Sequence, residues 1–154
     1  MCVPSANDNK YMMTFIDDYT KMCWVYLLKN KSDAFRKFKN FHAWIENDEK
    51  THIGSLRTDN GKEYTSNEFE NYLHQHGIKH QTIVPYNPQQ NGVAERMNKT
   101  ILNMIHSMLF FKNLKLMFWA DAVLCVVYIK NRCPSSSIRN KTPFEMWHGH
   151  IPSV

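Results

Sequence analysis

The sequence is poor in features that mark membrane, secreted or zinc-ribbon proteins. Its longest apolar run, Leu116 to Ile129, is interrupted by Asp121 and is shorter than the roughly 20 residues that span a bilayer. No basic stretch followed by an apolar one opens the chain, so we expect no signal peptide and no membrane partner. The four cysteines form no CxxC pair, which argues against a zinc ribbon or a disulfide scaffold and favours reduced thiols in an intracellular protein.

The composition is that of one globular domain with a modest basic excess. The chain has 154 residues, of which 43% are hydrophobic and 13% aromatic, so it can bury a sizeable core. Nineteen Lys and Arg against fourteen Asp and Glu give a net charge of +5. This charge is compatible with a nucleic-acid partner, but it does not establish one.

Hydrophobic periodicity predicts a hairpin, then helices alternating with strands. The predicted strands are Tyr11–Asp17, Cys23–Leu28, Ile53–Thr58 and Lys79–Val84. Helices are expected after Ser32, from Asn67 to Gly77, from Gly92, and over Leu116–Asn131. Pro85–Asn91 is expected to be a loop, and a polar tail follows the last helix. This order predicts an α/β fold with a mixed sheet and helices packed on it.

Two carboxylates occupy positions from which side chains project beyond the packed layers. Asp59 follows a predicted strand and opens the turn Asp59-Asn60-Gly61, whereas Glu95 lies in the first turn of a predicted helix, opposite its apolar stripe. Glu95 with Lys99 at i+4 could equally be a surface ion pair. Carboxylates brought together from distant segments can instead hold the Mg²⁺ ions of a phosphodiester-cleaving site.

Motifs along most of the chain resemble the integrase core of copia-type long-terminal-repeat retrotransposons, a part of the Pol polyprotein. The matching segments include residues 10–20, 24–29, 56–66, 87–96, 118–123, 131–134 and 141–147. The 35 residues between Asp59 and Glu95 (positions 60–94) are the spacing of that family. The resemblance implies an RNase H-like mixed sheet flanked by helices, with a core over residues 1–133 and a C-terminal extension over 134–154.

The resemblance also implies a chemistry and its residues. Asp59 and Glu95 would be the second and third catalytic, metal-binding carboxylates, and the cofactor would be two Mg²⁺ or Mn²⁺ ions. The protein would process the ends of element DNA and join them to target DNA by strand transfer. It would act in the nucleus and as a homo-oligomer. Asn60, Lys99 and the amide-rich segment would bind nucleic acid, the segment through Gln89, Gln90 and Asn91.

The family's first carboxylate has no match within the sequence. Residues 1–4 resemble the end of the segment that carries it, so we expect the first, central strand to be truncated and this copy to be inactive as encoded. Asp17 and Asp18 match turn acids of the family and are not expected to replace the ligand. Residues Met1–Asn9 could serve as a poor substitute strand; otherwise we expect the chain to fold badly.

Several alternatives remain open at this level. His74, His76 and His80 could suggest zinc, but with no fourth ligand nearby they are expected to be ordinary polar residues at a helix end. The chain could be a non-catalytic nucleic-acid-binding or interaction protein derived from a decayed element. An RNase H-like nuclease would share the acidic ligands, although residues 88–96 favour an integrase.

Overall fold

The described residues form four short strands and five helices, in the order that the periodicity predicts for all but the last helix. A computed structural model describes residues 3–82 and 88–153, with the backbone alone for residues 88–91. The strands are β1 (Tyr11–Ile16), β2 (Cys23–Leu28), β3 (Ser55–Thr58) and β4 (Lys79–Thr82). The helices are α1 (Ala34–Asn47), α2 (Asn67–Gln75), α3 (Pro88–Phe111), α4 (Trp119–Arg132) and α5 (Pro143–His148), and short 3₁₀ turns cover 31–33, 116–118 and 136–138.

Strands β1 and β2 form the predicted antiparallel hairpin. Their register pairs Tyr11 with Leu28 and Ile16 with Cys23. The turn is held by Asp17, whose Oδ2 accepts hydrogen bonds from the backbone N–H and the hydroxyl of Thr20, both at 2.7 Å. Asp17 is therefore a turn residue, as the sequence predicts.

Strands β3 and β4 pair in parallel, and α2 forms the crossover between them. Ser55 pairs with Lys79 and Thr58 with Thr82. Over residues 3–82 and 88–153 no further strand joins this pair to the hairpin, so the parallel and antiparallel parts of the expected mixed sheet form two separate two-stranded sheets. Residues 83 and 84, predicted to extend β4, lie outside the described residues.

Over its described residues, 3–9, the N-terminal segment does not form the substitute strand that we considered for Met1–Asn9. Residues 3–9 form a turn in which the Oγ of Ser5 accepts a hydrogen bond from the N–H of Asn9 at 3.0 Å. The carbonyl of Val3 accepts a hydrogen bond from the indole of Trp119 at 3.0 Å. A buried indole N–H needs an acceptor, and this segment supplies it instead of pairing with a strand.

The chain divides into two compact units, residues 1–29 with 93–154 and residues 30–92. The core of the first unit combines β2 with the apolar sides of α3 and α4. Its fully buried side chains include Cys23, Ile101, Ile105, Leu109, Trp119, Val123 and Val126. Met97, Met104 and Met108 pack against this core, which confirms the stripe predicted for α3.

The boundary between the integrase-like core over residues 1–133 and the C-terminal extension over 134–154 stays a prediction.

The core of the second unit is formed by α1, α2 and the residues that lead into β4. Phe38 and Phe69 are fully buried, and their ring centroids lie 5.3 Å apart. Leu73 and Ile78 are buried as well. Phe41 is buried as well, whereas Phe35 and Trp44 are half-buried. The aromatic side chains on this side of α1 thus belong to the core.

Two helix boundaries differ from prediction, each for a local reason. The cap of α2 is Ser66, whose Oγ accepts a hydrogen bond from Phe69 N–H at 3.2 Å; Asn67, predicted as the cap, is already helical. Helix α3 begins at Pro88, so Pro88–Asn91 are helical and the loop prediction is wrong for them. Proline suits a first helical position because its φ is preset and the missing N–H would have no helical partner there. Residues 83–87 lie outside the described part.

The predicted polar tail contains the additional helix α5. The hydroxyl of Thr142 accepts a hydrogen bond from the N–H of Glu145, Pro143 follows the cap, and Gly149 ends the helix with φ +77°. These are strong start and stop signals for a helix, although six residues are too few to show periodicity. No described helix is long and apolar enough to cross a membrane.

Candidate active site

Asp59 lies in the second unit, directly after the last residue of β3. Thr58 is buried, and its hydroxyl lies 2.8 Å from Nε2 of His80 on the neighbouring strand β4. Successive strand residues face opposite ways, so the buried Thr58 leaves Asp59 on the exposed side. The Oδ1 atom of Asp59 accepts a hydrogen bond from Gly61 N–H at 3.1 Å, as in an Asx turn.

A second carboxylate, that of Glu63, stands beside Asp59. A Cβ placed on Gly61 would lie 3.0 Å from Asp59 Oδ1 and 3.0 Å from Glu63 Oε2, so both carboxylates border the space that the glycine leaves open. Burial, together with the negative charges of Asp59 and Glu63, raises the pKa of the Tyr64 hydroxyl to about 12. Two carboxylates reaching one small volume suit a hard divalent cation.

Sequence reasoning did not single out Glu63. The signal that could have identified it is its position in the turn that Asp59 opens, because a turn brings residues two to four positions apart into contact. Asn60, predicted to bind nucleic acid, lies exposed in the same turn.

His80 supports the end of β3 from the side. Its Nδ1 lies 2.5 Å from Glu70 Oε1 on α2, and its Nε2 contacts the Thr58 hydroxyl. Both ring nitrogens are thus engaged. Among the described residues, His80 joins no ligand group with His74 or His76. His80 acts as a positioning residue for the strand end that carries Asp59.

Glu95 lies in the first unit, on the exposed side of α3. Lys99 and His106 are also exposed, and Ile101 on the other side of the helix is fully buried. Asn98 Oδ1 accepts a hydrogen bond from the hydroxyl of Thr14 on β1 at 2.8 Å. That bond, three residues after Glu95, anchors this part of α3 to the hairpin.

The remaining predicted residues belong to the first turn of α3. The backbone of Gln89, Gln90 and Asn91 is helical, and their side chains lie outside the described part of the chain. Asp59 and Asn60 thus belong to the second unit, and Glu95 and Lys99 to the first.

Comparison with known families supplies the decisive observation. A model described as "Integrase core domain" matches residues 1–88, and a second model with the same description matches residues 76–117. The chain belongs to the integrase core family. The first match covers β1 to β4 with Asp59, and the second covers α3 with Glu95.

Relatives of this integrase core are parts of retrotransposon polyproteins. The chain is 46% identical over 96% of its length to the retrovirus-related Pol polyprotein from transposon TNT 1-94 of Nicotiana tabacum, and 34% identical over 97% to that from transposon RE2 of Arabidopsis thaliana. It spans 11% and 10% of these two polyproteins. The resemblance to a copia-type retrotransposon integrase core is confirmed.

Solved structures support the same fold for this integrase core. The simian T-cell lymphotropic virus intasome in complex with a PP2A regulatory subunit superimposes with a TM-score of 0.72 at 22% identity, covering 93% of this chain and 51% of that one. The trimeric HTLV-2 integrase catalytic core in complex with magnesium gives 0.66 at 22% identity, covering 89% and 84%. The predicted RNase H-like α/β class is confirmed.

Proposed function

We propose that this integrase core belongs to an enzyme that processes the 3′ ends of element DNA and joins them to target DNA. The observation that carries the proposal is the donor set: Asp59 lies exposed at a strand end beside Glu63, and Glu95 lies exposed on a helix that is anchored to the hairpin. Carboxylates presented by the ends of rigid elements are the arrangement that phosphodiester chemistry with divalent cations requires.

The donor set fits Mg²⁺ or Mn²⁺ better than a softer metal, because oxygen ligands select hard cations. Asp59 and Glu95 would hold the ions, and Glu63 is close enough to Asp59 to share this role. A pair of such ions, when bound, orients the phosphate and stabilises the charge that develops on the attacking and leaving oxygens. The HTLV-2 core complex with magnesium supports this choice of ion.

DNA is the proposed partner of these residues. Lys99 is exposed one turn after Glu95, Asn60 is exposed beside Asp59, and the net charge of +5 favours a polyanion. Gln89, Gln90 and Asn91 add amide groups suited to phosphate, sugar and base edges. We propose the nucleus as the site of action because the target is genomic DNA; a fluorescent fusion excluded from nuclei would contradict this.

The test is a strand-transfer assay on the chain extended at its N terminus by the Asp-containing segment that the resemblance implies. We expect joined products with Mg²⁺ or Mn²⁺ and their loss in Asp59→Asn and in Glu95→Gln. Asp48→Asn, which removes an exposed charge of the second unit outside the site, is the matched control. The 154-residue chain alone should give no product.

The same assay separates catalysis from simple binding. Equal activity of the Asp59→Asn and control variants would remove Asp59 from the catalytic set. DNA binding by the extended chain with no metal-dependent product would favour the alternative, a non-catalytic nucleic-acid-binding protein derived from such an element.

We also propose that the protein works as a homo-oligomer. Phe110 and Phe111 at the end of α3 are 90% and 83% exposed, and the apolar side chains of Leu114, Leu116, Leu124 and Tyr128 are exposed as well. Exposed apolar patches of this kind mark association sites. The HTLV-2 cores are described in dimeric and trimeric forms, which supports the proposal. Light scattering should give a multimer for the wild type and a monomer for Phe111→Asp; a monomeric wild type would contradict it.

A further inference from the structure

Three side chains of the second unit converge at a place remote in sequence from Asp59. His42 and Glu46 stand one turn apart on α1, at i and i+4, and His76 caps the C-terminal end of α2. One ligand atom from each of the three lies within 4.8 Å of the other two. None of these residues takes part in the proposed integration chemistry.

We propose that His42, Glu46 and His76 form a binding site for a transition-metal ion such as Zn²⁺. Two imidazoles with one carboxylate are a common zinc ligand set, in which solvent completes the tetrahedron. Nitrogen donors also distinguish this site from the all-oxygen set at Asp59, because imidazole favours Zn²⁺ over Mg²⁺.

The distance between the ligand atoms of His42 and Glu46 suits a tetrahedral ion. With metal–ligand bonds of about 2.0–2.1 Å, ligand atoms around zinc lie roughly 3.3 Å apart. The Nε2 atom of His42 already lies 3.3 Å from Oε1 of Glu46. The imidazole of His76 is exposed and stands at 81° to that of His42, with ring centroids 4.8 Å apart. A small rotation of this exposed ring would complete the set.

A buried nitrogen without a hydrogen bond is the second observation that points to a ligand. His42 is 1% exposed, and its Nε2 has no hydrogen-bond partner in the described part of the chain, although Oε1 of Glu46 lies 3.3 Å away. The Nδ1 atom lies 3.0 Å from the hydroxyl of Tyr72. With the proton on Nδ1 donated to Tyr72, Nε2 presents its lone pair to an ion, which is the usual support for a metal-bound histidine.

The charge states of the residues also suit a ligand set. Burial lowers the pKa of His42, which keeps the imidazole neutral as metal binding requires. A hydrogen bond from His52, whose Nδ1 lies 3.2 Å from Glu46 Oε1, lowers the pKa of the Glu46 carboxyl and keeps it ionised.

The test is calorimetric titration of the untagged, EDTA-treated chain with ZnCl₂ in excess Mg²⁺, which occupies carboxylate sites. We expect one saturable Zn²⁺ per chain, and tetrahedral absorption bands when Co²⁺ replaces it. Glu46→Gln and His76→Gln should each weaken binding by at least about tenfold. Both side chains reach solvent, so these variants should fold, unlike substitutions of the buried His42.

Two control variants make the outcome decisive. His74→Gln changes an exposed histidine of the same helix, and Asp59→Asn alters the proposed integration site; both should bind Zn²⁺ like the wild type. The proposal fails if no saturable site is found, if His74→Gln weakens binding as much as His76→Gln, or if Asp59→Asn abolishes it. Because the Asp59 variant is scored separately, failure of the zinc site leaves the integration proposal intact.

Discussion

The carboxamide of Asn131 ties the last turn of α4 to the first residue of β2. Its Oδ1 accepts a hydrogen bond from the backbone N–H of Cys23 at 3.0 Å, and its Nδ2 donates one to the Cys23 carbonyl at 2.7 Å. Asn131 is 5% exposed and Cys23 is 1% exposed, so water does not readily replace either bond. The side chain therefore does for β2 what a neighbouring strand would do.

Asn131→Ala should leave two buried backbone groups unpaired. Each costs about 1–3 kcal/mol, so the free energy of unfolding should fall by about 2–6 kcal/mol, a large part of a typical stability of about 5–15 kcal/mol. For a chain of this size the melting temperature should fall by roughly 5–20 °C. Urea denaturation followed by circular dichroism measures the first quantity, and amide hydrogen exchange of β2 reports the local loss of protection.

Asn103→Ala is the matched control, because Asn103 is exposed on α3 and its loss should change stability by less than about 0.5 kcal/mol. Asn131→Asp adds a test of the direction in which stability changes with pH. A buried carboxylate facing the Cys23 carbonyl should have a raised pKa in the folded state, so this variant should gain stability as pH falls through that pKa. A loss below about 1 kcal/mol for Asn131→Ala would refute the assigned role of the two bonds.

Three further outcomes are expected. Burial raises the pKa of the Cys23 thiol to about 12, so at pH 8 only about 10⁻⁴ of this thiol is ionised. Mass spectrometry after thiol alkylation of the folded protein should therefore find Cys125 and Cys133 modified and Cys23 unmodified. Labelling of Cys23 before unfolding would contradict its burial. Gly61→Ala should displace the flexible carboxylate ends of Asp59 and Glu63 and so weaken Mn²⁺ binding measured by calorimetry. The free energy of unfolding should fall by less than about 1 kcal/mol. An unchanged Mn²⁺ affinity would contradict this prediction. Ser66→Ala should lower the free energy of unfolding, measured by urea denaturation, by about 1 kcal/mol. An equal loss in Asn67→Ala would instead identify Asn67 as the cap.

Local patterns predicted the elements that are long or strongly punctuated. Cys23–Leu28 was predicted with its observed bounds, and the Met and Ile positions of α3 pack on the core, because periodicity reflects which side of an element is buried. The first turn of α3 and the short helix α5 were missed. Proline and asparagine favour loops in general but also start helices, and six residues are too few for a period to emerge.

The sequence by itself determined the family, the turn that presents Asp59, and the exposed side of α3 that carries Glu95. These features depend on residue order and on the repeat of one helix or strand, which are local properties. Only the tertiary structure decided which distant polar groups meet: Asn131 with Cys23, and His76 with His42. Such pairings arise because the packing of apolar surfaces sets where each helix end and strand end lies. This packing does not depend on which polar groups it brings together.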